Sequence, residues 1–198
     1  MRGDLVMRRW RRSDVPALSA AVAESIDHLR PWMPWAAAEP LAPADREALI
    51  ARWERSWETG DEFNYGLFVG GRVAGSAGLM RRIGPGGLEI GYWVHVAHVR
   101  RGLATTASTA LTDVAFTQPE VTHVEIHHDL ANVASGRVPA RLGFRLVGDE
   151  PDEPTAPSEV GVARIWRMER AAWPRHRPPT PPDRSDGPGR EVRAWGGG

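Results

Sequence analysis

The residues of this 198-residue chain that could do chemistry fall into a few short stretches. The most informative is His95-Val96-Ala97-His98-Val99-Arg100-Arg101-Gly102-Leu103-Ala104-Thr105, a turn with two arginines and a glycine ahead of a helical pattern. Backbone at a helix start turns free amides and the positive end of the helix dipole outward, so it suits an anion, most commonly a diphosphate. Spacing alone is equally met by an ordinary strand-to-helix turn with solvated arginines. Two carboxylates, Glu89 and Glu125, sit in strand-like stretches, where Glu89 could pair with Arg81 or Arg82 across a hairpin. His127-His128-Asp129 invites a metal, but adjacent strand residues point to opposite faces and cannot readily chelate one ion, so no metal is expected. Gly187-Pro188-Gly189 has no strand before it and no helix after it.

The elements that must position these groups can be read in order. Residues 4 to 11 predict a strand, and Ser13-Asp14-Val15-Pro16 starts a helix that buries Leu18, Ala21, Val22 and Ile26 and ends by Pro31. An aromatic, proline-rich elbow follows, in which Trp32 and Trp35 either plug a core edge or wall a pocket. Pro43 opens a second helix, closed by Gly60, with Leu49, Ile50, Trp53 and Trp57 on one face. Strands at 63–69 and 72–80 flank a Gly70-Gly71 hairpin turn, and Glu89 to Val94 completes a meander. Leu103, Ala107, Ala110, Leu111 and Val114 predict a helix over 103–116, so the strand at 121–127 should lie parallel to the one before it. Asn132 caps a short helix with Ser135 one turn in, ended by Gly143. Strands at 144–147 and 161–170 close the pattern, with a mobile acidic loop expected over Asp149-Glu150-Pro151-Asp152-Glu153-Pro154.

Composition sets the bounds. One domain over residues 1–173 is expected, followed by a proline-, glycine- and arginine-rich tail at 174–198 with too little apolar content to pack. Equal counts of 25 acidic and 25 basic residues give no bias toward nucleic acid or membrane. Cysteine is absent, which excludes disulfides, thiolate catalysis and cysteine zinc sites. With no signal-like start and no membrane-length apolar run, a soluble, cytoplasmic enzyme is the expectation. Every basic residue is arginine, so the chain cannot acylate lysines of its own.

Three segments together resemble the GNAT superfamily of acyl-CoA-dependent N-acyltransferases. Arg101-Gly102-Leu103-Ala104 is similar to its pyrophosphate loop, Gln/Arg-x-x-Gly-x-Gly/Ala, with Val99 where Gln or Arg is usual. Leu29-Arg30-Pro31-Trp32-Met33-Pro34-Trp35 resembles the elbow of the RimJ/RimL-type branch, which acetylates protein amino termini and related amines. Asn132-x-x-Ser135 followed by Leu142-Gly143-Phe144 is similar to the segment that faces the CoA arm, though Pro139 stands where many relatives carry a tyrosine acid.

The resemblance covers residues 5 to 170 and implies an α/β fold, a mixed sheet of about seven strands flanked by about four helices. The sheet should be mostly antiparallel, with a central parallel pair, the Glu89 and Glu125 strands, splayed to admit acyl-CoA. It implies that Val94, Val96, Arg101, Gly102, Leu103, Ala104, Thr105 and Asn132 contact acetyl-CoA, with an amide near Val94 or His95 polarising the thioester. Glu89 is the implied base, with Glu125 second, Ser135 the hydrogen-bond donor to the leaving sulfur, and Trp32 and Trp35 the acceptor wall. The implied reaction is acetyl transfer from acetyl-CoA to a primary amine, a protein N-terminus in this branch, by direct attack in a ternary complex. Alternatives are a small-molecule amine such as a drug or polyamine, or a CoA-binding module without catalysis, and a homodimer is left open.

Overall fold

A computed structural model of the chain describes residues 5–173, so the tail expected at 174–198 lies outside the described residues. Seven strands form one sheet in the order β1-β2-β3-β4-β5-β7-β6. They are β1 (Leu5–Arg9), β2 (Glu62–Val69), β3 (Arg72–Met80), β4 (Gly87–Val94), β5 (His123–Asp129), β6 (Arg145–Pro151) and β7 (Val162–Glu169). The helices are α1 (Val15–Leu29), α2 (Pro43–Thr59), α3 (Leu103–Ala115) and α4 (Val133–Arg141). Only β4 and β5 run parallel. That follows from the helical crossover between them, whereas tight turns force neighbouring strands antiparallel elsewhere in the meander.

Period-two alternation splits the core between the sheet's two faces. Leu67 packs in one cluster with Leu79, Ile90, Leu111 of α3 and Val124, while its neighbour Phe68 packs in the other with Leu18 and Val22 of α1 and Ile50 of α2. The buried stripe of α3 is Leu103, Ala107, Ser108, Leu111, Thr112 and Ala115, rotated from the expected one because Ser108 and Thr112 replace Ala110 and Val114. Thr112 Oγ1 offsets its burial by donating to the Ser108 carbonyl at 2.7 Å. Beyond the loop, Arg170 grips the carbonyls of Phe116, Gln118 and Val121, tying the end of β7 to the α3–β5 connection.

Two boundaries correct the sequence reading. β5 runs two residues later than expected, to Asp129, because Val121 is buried in the connection before it. Asp149, Glu150 and Pro151 belong to β6 and not to a mobile loop: they pair with Arg164, Ala163 and Val162, and Asp149 forms a 2.7 Å ion pair with Arg164. β3 carries a bulge where Leu67 faces Gly75 and Phe68 faces Val73. A Cβ at Gly75 would lie 2.3 Å from the Trp93 carbonyl oxygen, so only glycine lets β4 approach there. No helix among the described residues is long and apolar enough to cross a membrane.

Candidate active site

The sheet opens at its centre. β4 keeps its ladder with β3 as far as Val94 and β5 keeps its ladder with β7 as far as Asp129, yet β4 and β5 pair only from Gly87↔His123 to Glu89↔Glu125. Past that point each strand presents an unpaired edge to a gap. The His95 amide donates to the Ala74 carbonyl at 2.9 Å, on the β3 side. Alternation along an antiparallel ladder turns the Val94 amide the other way, toward the gap.

Immediately beyond β4 the chain makes the arginine turn. Arg100 has φ 59°, the one positive value for a non-glycine among the described residues, and Gly102 has φ 80°. Left-handed residues alternating with right-handed ones gather successive amides into a concave, anion-accepting surface. Among the described residues, no acceptor is found for the amides from Val99 to Thr105, and the ladder of α3 begins with Thr106 donating to the Gly102 carbonyl at 2.9 Å. A backbone of this shape fits a diphosphate without help from side chains.

Opposite the edge of β4 stands the start of α4. The Asn132 side chain accepts from the Ser135 amide at 3.1 Å, capping the helix. Four residues beyond Ser135, Pro139 has no amide hydrogen, so the Ser135 carbonyl lacks its helical donor. The Tyr92 hydroxyl of β4 fills the vacancy: it lies 3.1 Å from that carbonyl oxygen and 3.0 Å from Ser135 Oγ. Burial pushes the Tyr92 phenol up to about 12, against the opposing effect of the Ser135 hydrogen bond, so it stays a neutral donor.

A cleft of about 1260 Å³ runs through the gap to the aromatic elbow. Trp32, Trp35, Glu89, Tyr92, His127, Asn132 and Ser135 all line it, whereas Val94, Val96 and the residues 101–105 are not among its lining side chains and follow directly on from Trp93, which is. Trp35 lies with its ring 6.1 Å from that of Trp93, and the elbow is tied to the β6–β7 connection by the Ser158 amide donating to the Pro31 carbonyl at 3.0 Å. At the root of the gap, both oxygens of Glu89 accept from Arg82, at 2.5 and 2.7 Å. Glu125 is held by Arg167 on one oxygen and by His127 on the other.

The acetyltransferase (GNAT) domain family matches residues 4–145 of this sequence. The chain belongs to the GNAT acetyltransferase family. Among relatives, "Putative ribosomal N-acetyltransferase YdaF" of Bacillus subtilis (strain 168) is 27% identical over 150 residues, covering 75% of this chain and 81% of that protein. Among solved structures, RimL, a ribosomal L7/L12 alpha-N-protein acetyltransferase in complex with coenzyme A, superposes with a TM-score of 0.78 at 20% identity, covering 87% of this chain and 97% of that one. Mycobacterium smegmatis RimJ, in complex with CoA-disulfide, gives 0.75 at 20% identity, over 87% and 85% of the two chains.

As a GNAT acetyltransferase, the protein has the expected mixed sheet with one parallel pair. Several local contacts differ from the simple reading of its loop. The Val96 amide donates to Ser25 Oγ at 3.1 Å and the His95 amide to Ala74, so neither is free, and of the oxyanion-donor candidates only Val94 keeps an amide facing the gap. Glu89 makes the arginine pair across the hairpin, and Arg82 is the partner; Arg81 instead reaches Glu120 at 2.9 Å. Sequence reasoning missed Tyr92 and the His127–Glu125 contact. The only local sign of the first was Pro139, which announces an orphan carbonyl needing a donor from elsewhere.

Proposed function

We propose that this GNAT acetyltransferase moves an acetyl group from acetyl-CoA to the α-amine of a protein N-terminus. The observation that carries the reading is the run of unsatisfied amides from Val99 to Thr105 at the end of a strand whose neighbour has splayed away. CoA diphosphate would lie on residues 101–105, with the pantetheine arm along the open edge of β4 and Asn132 beside it. The Val94 amide would hold the oxyanion as the amine nitrogen adds to the thioester carbonyl carbon. As the C–S bond breaks, the sulfur takes a hydrogen bond from Ser135 Oγ, whose single hydrogen swings to it from the Tyr92 oxygen while Tyr92 keeps its own on the Ser135 carbonyl. The amine enters past Trp32 and Trp35, and its proton leaves into the carboxylate-lined root of the gap where Glu89, His127 and Glu125 meet. Acetylation of protein N-termini is supported by the likeness to RimL, a ribosomal L7/L12 alpha-N-protein acetyltransferase, and to YdaF, a putative ribosomal N-acetyltransferase, and by the apolar elbow lining the cleft.

Thiol release from acetyl-CoA, measured against peptides with free N-termini, the same peptides N-formylated, and small amines, tests the assignment. Free-N-terminal peptides should give the highest kcat/KM and the blocked peptides none. Faster turnover of a diamine or another small amine would move the acceptor to the small-molecule class.

A further inference from the structure

We infer that His127, oriented by Glu125, is the group that takes the proton from the attacking amine; the inference rests on the acetyl-transfer reading and names the base for it. An ionised carboxylate can only accept a hydrogen bond, so at 2.6 Å from Glu125 Oε2 it is His127 Nε2 that carries the hydrogen. In the neutral ring Nδ1 then holds the lone pair. Nδ1 stands 3.9 Å from Glu89 Oε2, beyond hydrogen-bond range, on a side chain that lines the cleft and is 26% exposed. The two glutamates are placed otherwise: their side chains are only 7% and 4% exposed, and all four of their oxygens are engaged by Arg82, Arg167 or His127 itself. Protonating either carboxylate would discharge it against its arginine in a nearly buried site, whereas Nδ1 makes no hydrogen bond among the described residues and needs only the approach of the amine.

The step balances without a further reagent. An N–H bond of the incoming ammonium breaks, its proton passes to Nδ1, and the freed lone pair forms the C–N bond to the thioester carbonyl carbon; as the C–S pair leaves with sulfur, the second proton of the tetrahedral nitrogen passes to that sulfur, giving the amide and the free thiol. With Glu89 Oε2 3.9 Å from Nδ1 and Glu125 Oε2 2.6 Å from Nε2, the imidazolium is flanked by carboxylates of both splayed strands until it returns the proton to solvent. The acids beside the ring are Glu89 from β4 and Glu125 from β5 itself, and each is paired with an arginine, Arg82 from the β3–β4 turn and Arg167 from β7. The two acids and two arginines offset one another, leaving the ring's own proton as the charge that changes. His128 takes no part, being turned to the Trp166 indole and the Asp129 carbonyl. Glu125 is thus a positioning residue and His127 the catalytic one.

The test is made on the full chain with the best amine of the panel. His127→Gln should lower kcat about 100-fold or more, leave acetyl-CoA binding unchanged, and remove the acidic limb of the kcat/KM profile. Added imidazole should restore part of the rate to His127→Gly. Glu125→Gln, which lets the ring adopt the other tautomer, should cost roughly 10-fold in kcat and displace the acidic limb while the KM for acetyl-CoA holds. A His127→Gln enzyme within about twofold of wild-type kcat, with its acidic limb in place, overturns the inference. Should that variant fail to fold, Glu125→Gln decides, and an undisplaced limb overturns it there. An inactive wild type overturns the acetyl-transfer reading as well, whereas an active wild type with indifferent variants overturns the base assignment alone.

Discussion

At the scale of single residues, two adjacent histidines have been given opposite tasks by strand alternation. His128 Nδ1 lies 2.7 Å from the Asp129 carbonyl oxygen and must donate, and Nε2, 3.1 Å from the Trp166 indole nitrogen, must accept. The neutral ring satisfies both contacts, and a proton on Nε2 would set two donors against each other. Burial, against the pull of the Asp129 hydrogen bond, accordingly holds His128 below its ordinary 6.5. The unfolded chain therefore binds that proton first, so this contribution to stability is complete above 6.5 and is lost as pH falls below it. Urea midpoints at about pH 8 and about pH 5 should converge in His128→Gln relative to wild type, since glutamine keeps a donor and an acceptor but does not titrate. Equal losses in the two proteins would show that His128 is not the group responsible.

At the scale of elements, α4 is where an apparent defect serves the site. Pro139 withholds an amide from the Ser135 carbonyl, and Tyr92 supplies the hydroxyl instead. Tyr92→Phe should therefore cost about 1–3 kcal/mol, the typical cost of leaving a buried acceptor unpaired, and lower kcat while acetyl-CoA still binds. In a Pro139→Ala background the new amide can satisfy the carbonyl, so the same Tyr92→Phe change should cost measurably less stability. Additive effects in that double-mutant cycle would mean that the proline and the tyrosine are unconnected. This coupling also marks the limit of what the sequence discloses. The Gly70-Gly71 turn, the Pro43 and Gly60 ends of α2, the Asn132 cap and the arginine turn are local, and each is written in residues a few positions apart. Tyr92 with Ser135 and Glu125 with Arg167 are separated by about forty residues, and no periodicity encodes which of them meet. β6 was cut short for a different reason: nearly all of its residues are exposed, so it carries no alternation to extend the strand past Val147.

For the whole molecule, the decisive fact is how narrowly its halves are joined. The meander β1 to β4 meets β5 to β7 through three backbone pairings, backed by α3 and by the core it shares with both sides. A ligand lying in the gap contacts both halves and binds only the folded state. Acetyl-CoA should therefore stabilise the protein by about 2.7 kcal/mol at roughly 100-fold excess over Kd, seen as a rise in Tm. Gly102→Glu, which places a side chain at φ 80° and a negative charge beside the phosphates, should abolish the rise. A full shift in that variant would put CoA somewhere other than the arginine turn.

That narrow seam lies just beyond the connection from α3 to β5, whose carbonyls at Phe116, Gln118 and Val121 are gripped by Arg170, the residue after β7. Severed in residues 117–120, the chain would give two pieces, each carrying one lip of the gap and one share of a common apolar core. Arg170 and the Trp173 indole, which donates to Asp113 across the cut, would act as clasps drawing the pieces together. The metabolite proposed to lie between them would act as the adhesive, so an architecture with a gap fit for acetyl-CoA could serve as a two-part reporter whose reassembly registers how much of that thioester is present.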